Sequence, residues 1–169
     1  ITALPRDGHP MKLFSAAILI LGMLESQDDY EKDSINLLAK IPHLAAAIIN
    51  HHAGWGDTPF ADASKSYIEN FVHLLKMPGK DDHILSETMR LYSILHLDHG
   101  GGNLSAFVAK AVASGHEDIY GAMSAAISAL EGHLHGKACQ DGYAFVKGAV
   151  DALGSEASEG EVESYIQKL

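Results

Sequence analysis

The sequence predicts an all-α protein, and three observations lead there. Apolar residues recur at helical spacing, as in Tyr67, Ile68, Phe71, Leu74 and Leu75, and again in Ile84, Leu85, Met89, Tyr92 and Leu95. Capping residues stand where those periodic runs begin, among them Asn103, Asp118 and Ser158 with Glu161. No segment alternates polar and apolar residues as a half-buried strand requires.

The elements follow in order. Met11 to Glu25 is apolar on nearly every side, which suits a helix buried in a large core or a subunit interface. Pro10 opens it where a missing N–H costs little. Asp33 is placed to cap a second helix through Ile35, Leu38 and Ala39, and Pro42 is expected to bend or break it. Helix resumes over Leu44 to Asn50, and Gly54 to Pro59 reads as a loop. A helix is expected from Ser64 to Lys76, ended by Met77-Pro78-Gly79. Asp81 or Asp82 caps the next, which runs into His96 and His99. Asn103 begins a helix ending at Ser114-Gly115, and Asp118 begins one ending at Gly132. The latter holds Gly121, Ala122, Ser124, Ala125, Ala126, Ser128 and Ala129, a density of small residues that permits close helix packing. A long helix follows Gly136 as far as Gly154, and the Ser158–Glu161 capping box starts a terminal segment.

Composition narrows the function. With 47% hydrophobic and 20% charged residues over 169 positions, the chain can bury a core. A net charge of -10 argues against a general nucleic-acid or anionic-membrane surface while leaving room for a local anion site. The longest apolar run, Leu13 to Leu24, is interrupted by Ser15 and Gly22 and is too short to span a bilayer, which takes roughly 20 residues. Cys139 is alone, so no disulfide framework exists and a reducing compartment is the simple reading. The chain opens on Ile1 rather than Met and closes at Leu169 inside a helical pattern, which predicts an internal fragment of a longer protein.

Polar chemistry concentrates at two glycine breaks one helix-turn-helix apart. The first reads His96-Leu97-Asp98-His99-Gly100-Gly101-Gly102-Asn103-Leu104-Ser105, the second Gly132-His133-Leu134-His135-Gly136. His96 and His99 would share a helix face at i, i+3, the glycines let the backbone turn tightly, and the helix start at Asn103 favours an anion. That combination suits a small carboxylate. His135 precedes another helix start, where a positive charge is disfavoured and a neutral imidazole is favoured. A neutral histidine can donate to a carbonyl oxygen and stabilise an enolate, as the electrophilic histidine of triosephosphate isomerase does. Zinc is a rival occupant for His96, Asp98, His99, His133 and His135, but neither an HExxH pattern nor a cysteine pair supports it. His43, His51, His52, His73, His83 and His116 read as surface or packing residues.

These breaks resemble the citrate synthase family: His96-x-Asp98-His99-x-Gly101-Gly102-Asn103-x-Ser105, followed by Gly132-x-Leu134-His135-Gly136-x-Ala138. His9-Pro10-Met11 and Leu38-Ala39-Lys40-Ile41-Pro42 extend the likeness, in order, over essentially the whole chain. The resemblance implies a multi-helical large domain, present in part across 1–169, and condensation of acetyl-CoA with oxaloacetate to citrate and CoA. It assigns His135 to the thioester carbonyl and its enol, and His99 to oxaloacetate. His96, Asn103 and Ser105 would line or support the same pocket. It implies no metal, no cofactor beyond acetyl-CoA as substrate, and a homodimer. The helices over Met11–Glu25, over Asp118–Glu131 and after His135 would form its interface. The implied compartment is the bacterial cytoplasm, or the mitochondrial matrix in a eukaryote. Four positions depart from the family pattern: His133 stands for proline, Gly100 for glutamate, Lys137 for glycine or an apolar residue, and Cys139 for asparagine. The small domain, the downstream histidine motif, the catalytic aspartate and the substrate-gripping arginines are not among these residues, so the fragment alone is expected to be inactive. Two alternatives stand beside this reading: a 2-methylcitrate synthase using propionyl-CoA, and a non-catalytic helical dimerisation module.

Overall fold

The structure is a computed structural model and describes residues 1, 3–97 and 100–168. Among the described residues there are eight helices and no strand. They are α1 (Pro10–Glu25), α2 (Tyr30–Ala53), α3 (Tyr67–Leu74), α4 (Asp82–His96), α5 (Leu104–Ala113), α6 (Ile119–Leu130), α7 (Lys137–Leu153) and α8 (Glu159–Ile166). The all-α expectation holds. Two compact units divide the chain, Ile1–Ala129 and Leu130–Leu169.

The first unit is organised around α2. Ile48 meets Leu13 and Ala17 of α1, Leu37 meets Ile18 and Tyr120, and Ala46 meets Leu74 and Leu75. Tyr120, Ile18, Ile48 and Leu74 are essentially inaccessible. Burial of each apolar side chain of this kind contributes about 1.5–3 kcal/mol relative to leaving it exposed.

Ser15 and Gly22, the two interruptions in the apolar run of α1, face α6. The Ser15 hydroxyl donates to the Ser124 carbonyl at 2.8 Å and lies 2.7 Å from the Ser128 hydroxyl. A Cβ on Gly22 would fall 2.6 Å from the Tyr120 Cβ, so only glycine allows this approach. The two positions are seven residues apart and so lie on one face of the helix. Away from these contacts α1 keeps Leu19, Ile20, Met23 and Leu24 exposed.

Two details of α2 differ from expectation. Its cap is Asp29, whose side chain accepts from the Lys32 N–H. Asp33 lies inside the first turn, buried, where its carboxylate accepts from the Ser26 hydroxyl and the Gln27 N–H and closes the α1–α2 corner. Nor does Pro42 break the helix, which is 24 residues long and runs on to Ala53. Proline strips the carbonyl four residues earlier of its helical donor. That carbonyl belongs to Leu38, and it accepts a bond from the Tyr67 hydroxyl at 3.0 Å. A side chain from α3 thus replaces the bond that proline removes.

The remaining helices follow their caps. α3 is shorter than its apolar pattern suggested, because the Ser66–Glu69 capping box sets its start and the chain leaves helix at Leu75. Asp81 caps α4, accepting from His83 and Ile84. The Asp118 carboxylate accepts from Gly121 at the start of α6. In the second unit α7 and α8 pack together, with the Glu161 carboxylate accepting from both the backbone and the hydroxyl of Ser158. Neither helix has a fully buried residue.

Candidate active-site segments

The first glycine break joins α4 to α5. α4 ends at His96, the first residue of the predicted His96–His99 pair. Asp98 and His99 lie outside the described residues. His96 is exposed and held against its own helix. Its ring stacks on Tyr92 with centroids 4.0 Å apart, and its Nδ1 lies 2.7 Å from the Tyr92 carbonyl. A carbonyl only accepts, so His96 Nδ1 donates this bond. One of its two ring nitrogens is therefore engaged by its own helix. Tyr92, read from sequence only as part of an apolar stripe, is the positioning partner; its i, i+4 spacing from His96 is the signal that could have found it.

The glycines of this break are open. A Cβ at Gly100 or Gly102 would meet nothing within 4 Å, and one at Gly101 would meet only the tip of Lys110 at 3.0 Å. None of the three is among the positive-φ glycines. Their contribution is empty space, not an unusual backbone. The Asn103 N–H donates to the Gly100 carbonyl at 3.2 Å, which closes the turn. Asn103 then caps α5 as expected. Its Oδ1 accepts from the Ser105 N–H at 3.3 Å and from the Ser105 hydroxyl at 3.1 Å. The structure thus brings Asn103 and Ser105 together in one cap, both half-buried, and leaves His96 on the preceding helix.

The second break belongs to the second unit and is closed by main-chain bonds. The Gly136 N–H donates to the Leu130 carbonyl at 2.9 Å, and the His135 N–H donates to Gly132 at 2.9 Å. A Cβ on Gly136 would lie 2.4 Å from the Leu130 oxygen, so the turn requires glycine. Gly136 is also the N-cap of α7, with no side chain capping it. His135 is half-buried one residue before that cap, and Leu134 beside it is fully exposed. His133, at the position read as departing from proline, places its Nε2 3.4 Å from the Lys137 ammonium. Cys139, in the first turn of α7, is exposed.

Among the described residues no group of three or more His, Cys, Asp or Glu side chains is arranged to hold a metal ion. No helix among them is long and apolar enough to cross a membrane.

Helices of this order, broken twice by histidine-bearing glycine turns, define a class. The chain superposes on citrate synthase from Thermotoga maritima with a TM-score of 0.72, over 99% of this chain and 42% of that one, at 23% identity, a likeness of fold. The family model for the citrate synthase C-terminal domain matches residues 1–169. The chain is 35% identical to citrate synthase 4, mitochondrial, of Arabidopsis thaliana, over 99% of its own length. It is 34% identical to the 2-methylcitrate synthase, mitochondrial, of Aspergillus fumigatus, over 98%. The chain belongs to the citrate synthase family. It spans 38% of the Arabidopsis protein and 39% of the Aspergillus one.

Proposed function

We propose that this segment serves in a citrate synthase, which condenses acetyl-CoA with oxaloacetate to give citrate and CoA. The observation that supports it most is the His135 turn. His135 stands before a long helix, on a loop closed by main-chain bonds whose geometry demands Gly136. Such a group can donate a hydrogen bond to the thioester oxygen as charge develops there in the enolate. In this reading His135 is the catalytic electrophile. His99 and His96 bind oxaloacetate, and Asn103 and Ser105 shape the helix start that its carboxylates approach. Acetyl-CoA is a substrate, and the chemistry calls for no further cofactor.

The 169 residues are proposed to be part of the large domain of a homodimer. The exposed apolar residues Leu19, Ile20, Met23 and Leu24 of α1 support that, as do Tyr143, Phe145, Val146 and Val150 of α7. The group that removes the α-proton is not assigned within these residues, so the chain alone is expected to form no citrate. Its compartment follows the same reading: mitochondrial matrix in a eukaryotic cell, cytoplasm in a bacterial one.

A second reading, 2-methylcitrate formation from propionyl-CoA, is favoured by the 34% identity to the Aspergillus fumigatus enzyme of that name. An active enzyme carrying this segment should turn over acetyl-CoA with a higher kcat/KM than propionyl-CoA. The reverse preference establishes the second reading, and no product from either thioester overturns both. Citrate formed by the isolated 169-residue chain would overturn the assignment of the missing base to residues outside it.

A further inference from the structure

A cleft of about 460 Å³ opens between the segment before α1, the C-terminal half of α2 and the loop that follows α2. Arg6, His43, Asn50, His51, Asp57 and Thr58 line it. It lies within the first unit and uses none of the residues of the two histidine breaks. We propose that this cleft is a binding site for a small polyanion, a phosphate or polycarboxylate compound, gripped by the Arg6 guanidinium.

Charge is the first argument. The chain carries a net charge of -10, yet this cleft gathers an arginine and two histidines against one aspartate. Lys76 adds a further cation at the rim, its ammonium 4.0 Å from where a Cβ on Gly56 would stand. Lys32, Lys40, Lys80, Arg90 and Lys147 are each held in an ion pair. Arg6 and Lys76 are held in none among the described residues. An arginine fork matches a phosphate or carboxylate with two parallel hydrogen bonds.

Preorganisation is the second. Gly54 caps α2 in the left-handed conformation, at φ 72, and its missing side chain is also what admits Arg6. A Cβ there would fall 1.6 Å from the Arg6 Nη2, so the guanidinium lies directly on the glycine. The segment bearing Arg6 is pinned to α2 by two histidines. His51 Nε2 donates to the Leu4 carbonyl at 3.1 Å, and His52 Nδ1 donates to the Arg6 carbonyl at 3.2 Å. The floor is equally fixed. Asn50 is fully buried and donates to the Thr58 hydroxyl and the Leu74 carbonyl, while its Oδ1 accepts from the Lys76 N–H. Walls ordered before the ligand arrives reduce the entropy lost on binding. The volume falls within the roughly 300–1,000 Å³ of small-molecule sites.

The test is a titration of the 169-residue chain with pyrophosphate and, separately, malonate at constant ionic strength. It is followed by calorimetry and by the imidazole resonances of His43 and His51. Saturable binding of either probe with shifts at those rings is expected. Arg6→Ala should weaken it by at least about tenfold, the scale of a lost charged hydrogen bond, and Arg6→Lys should recover part. Pyrophosphate binding alone assigns the phosphate class and malonate binding alone the carboxylate class. A variant with an unchanged melting transition but unchanged affinity would overturn the site. So would the absence of saturable shifts with both probes.

Discussion

The turn between α4 and α5 and the turn between α6 and α7 both set glycine beside histidine, and they are built in opposite ways. At 100–102 glycine leaves space: two of the three Cβ positions are empty, and the following helix is started by a side chain, Asn103. At 132–136 the main chain closes on itself, Gly136 is sterically required, and no side chain caps α7. The first break is open and tolerant; the second is tight and intolerant. Similar composition therefore builds an open turn in one place, the proposed binding mouth, and a closed turn in the other, the proposed mount for one imidazole.

The largest expected difference between them is catalytic. In an active enzyme carrying this segment, His135→Ala should lower kcat by about 10²-fold or more, the scale of a lost proton-donating group. His96→Ala, at a ring stacked on Tyr92, should cost less. Equal losses in steady-state assays would erase the distinction between mount and mouth.

Stability comes next. Gly136→Ala forces a methyl into a backbone oxygen and should destabilise the fold by about 1–3 kcal/mol, as overpacking does. Gly100→Ala should stay within about 0.5 kcal/mol. Urea unfolding of the two variants measures both, and a reversed order would show that the turns have been misassigned. Asn103→Ala should cost about 1 kcal/mol through the lost cap, with Asn103→Gly only a few tenths. That corresponds to a drop in Tm of about 2–4 °C for the alanine variant.

The smallest effect concerns pH in the first unit. Lys40 and Asn36 hydrogen-bond the Glu25 carboxylate and hold its pKa below the ordinary glutamate value. A depressed carboxylate stabilises the fold above the unfolded pKa of about 4.3, and that stabilisation is lost as pH falls through the folded value. Thermal melts between pH 7 and pH 3 should therefore fall less steeply for Glu25→Gln than for the parent chain.

Much of this was legible in the residues. Asn103, Asp81 and the Ser158–Glu161 pair were readable as helix starts because a cap is a local arrangement of a side chain and the next few N–H groups. The second break was readable because the glycines at 132 and 136 punctuate helices locally. Asp33 was misread because a second aspartate one turn earlier takes the cap, and the break at Pro42 because its outcome depends on distant chain. Asp33 closes a corner with Ser26 and Gln27 rather than its own helix, and Asp29 takes the cap. Pro42 is tolerated because Tyr67, 29 residues beyond Leu38, reaches the orphaned carbonyl. The pairing of His96 with His99 falls where α4 ends and the described residues stop short of His99.

By itself the sequence determined the all-α class, the family likeness and the two histidine breaks, since periodicity, caps and motifs act over a few residues. Only tertiary structure decided what the small and polar positions are for. Ser15 and Gly22 look like defects in an apolar helix until α6 packs on them. Gly54 looks like an ordinary cap until Arg6 lies across it. Those roles come from contacts between segments far apart in the chain, and steric exclusion at 2–3 Å has no signature in composition.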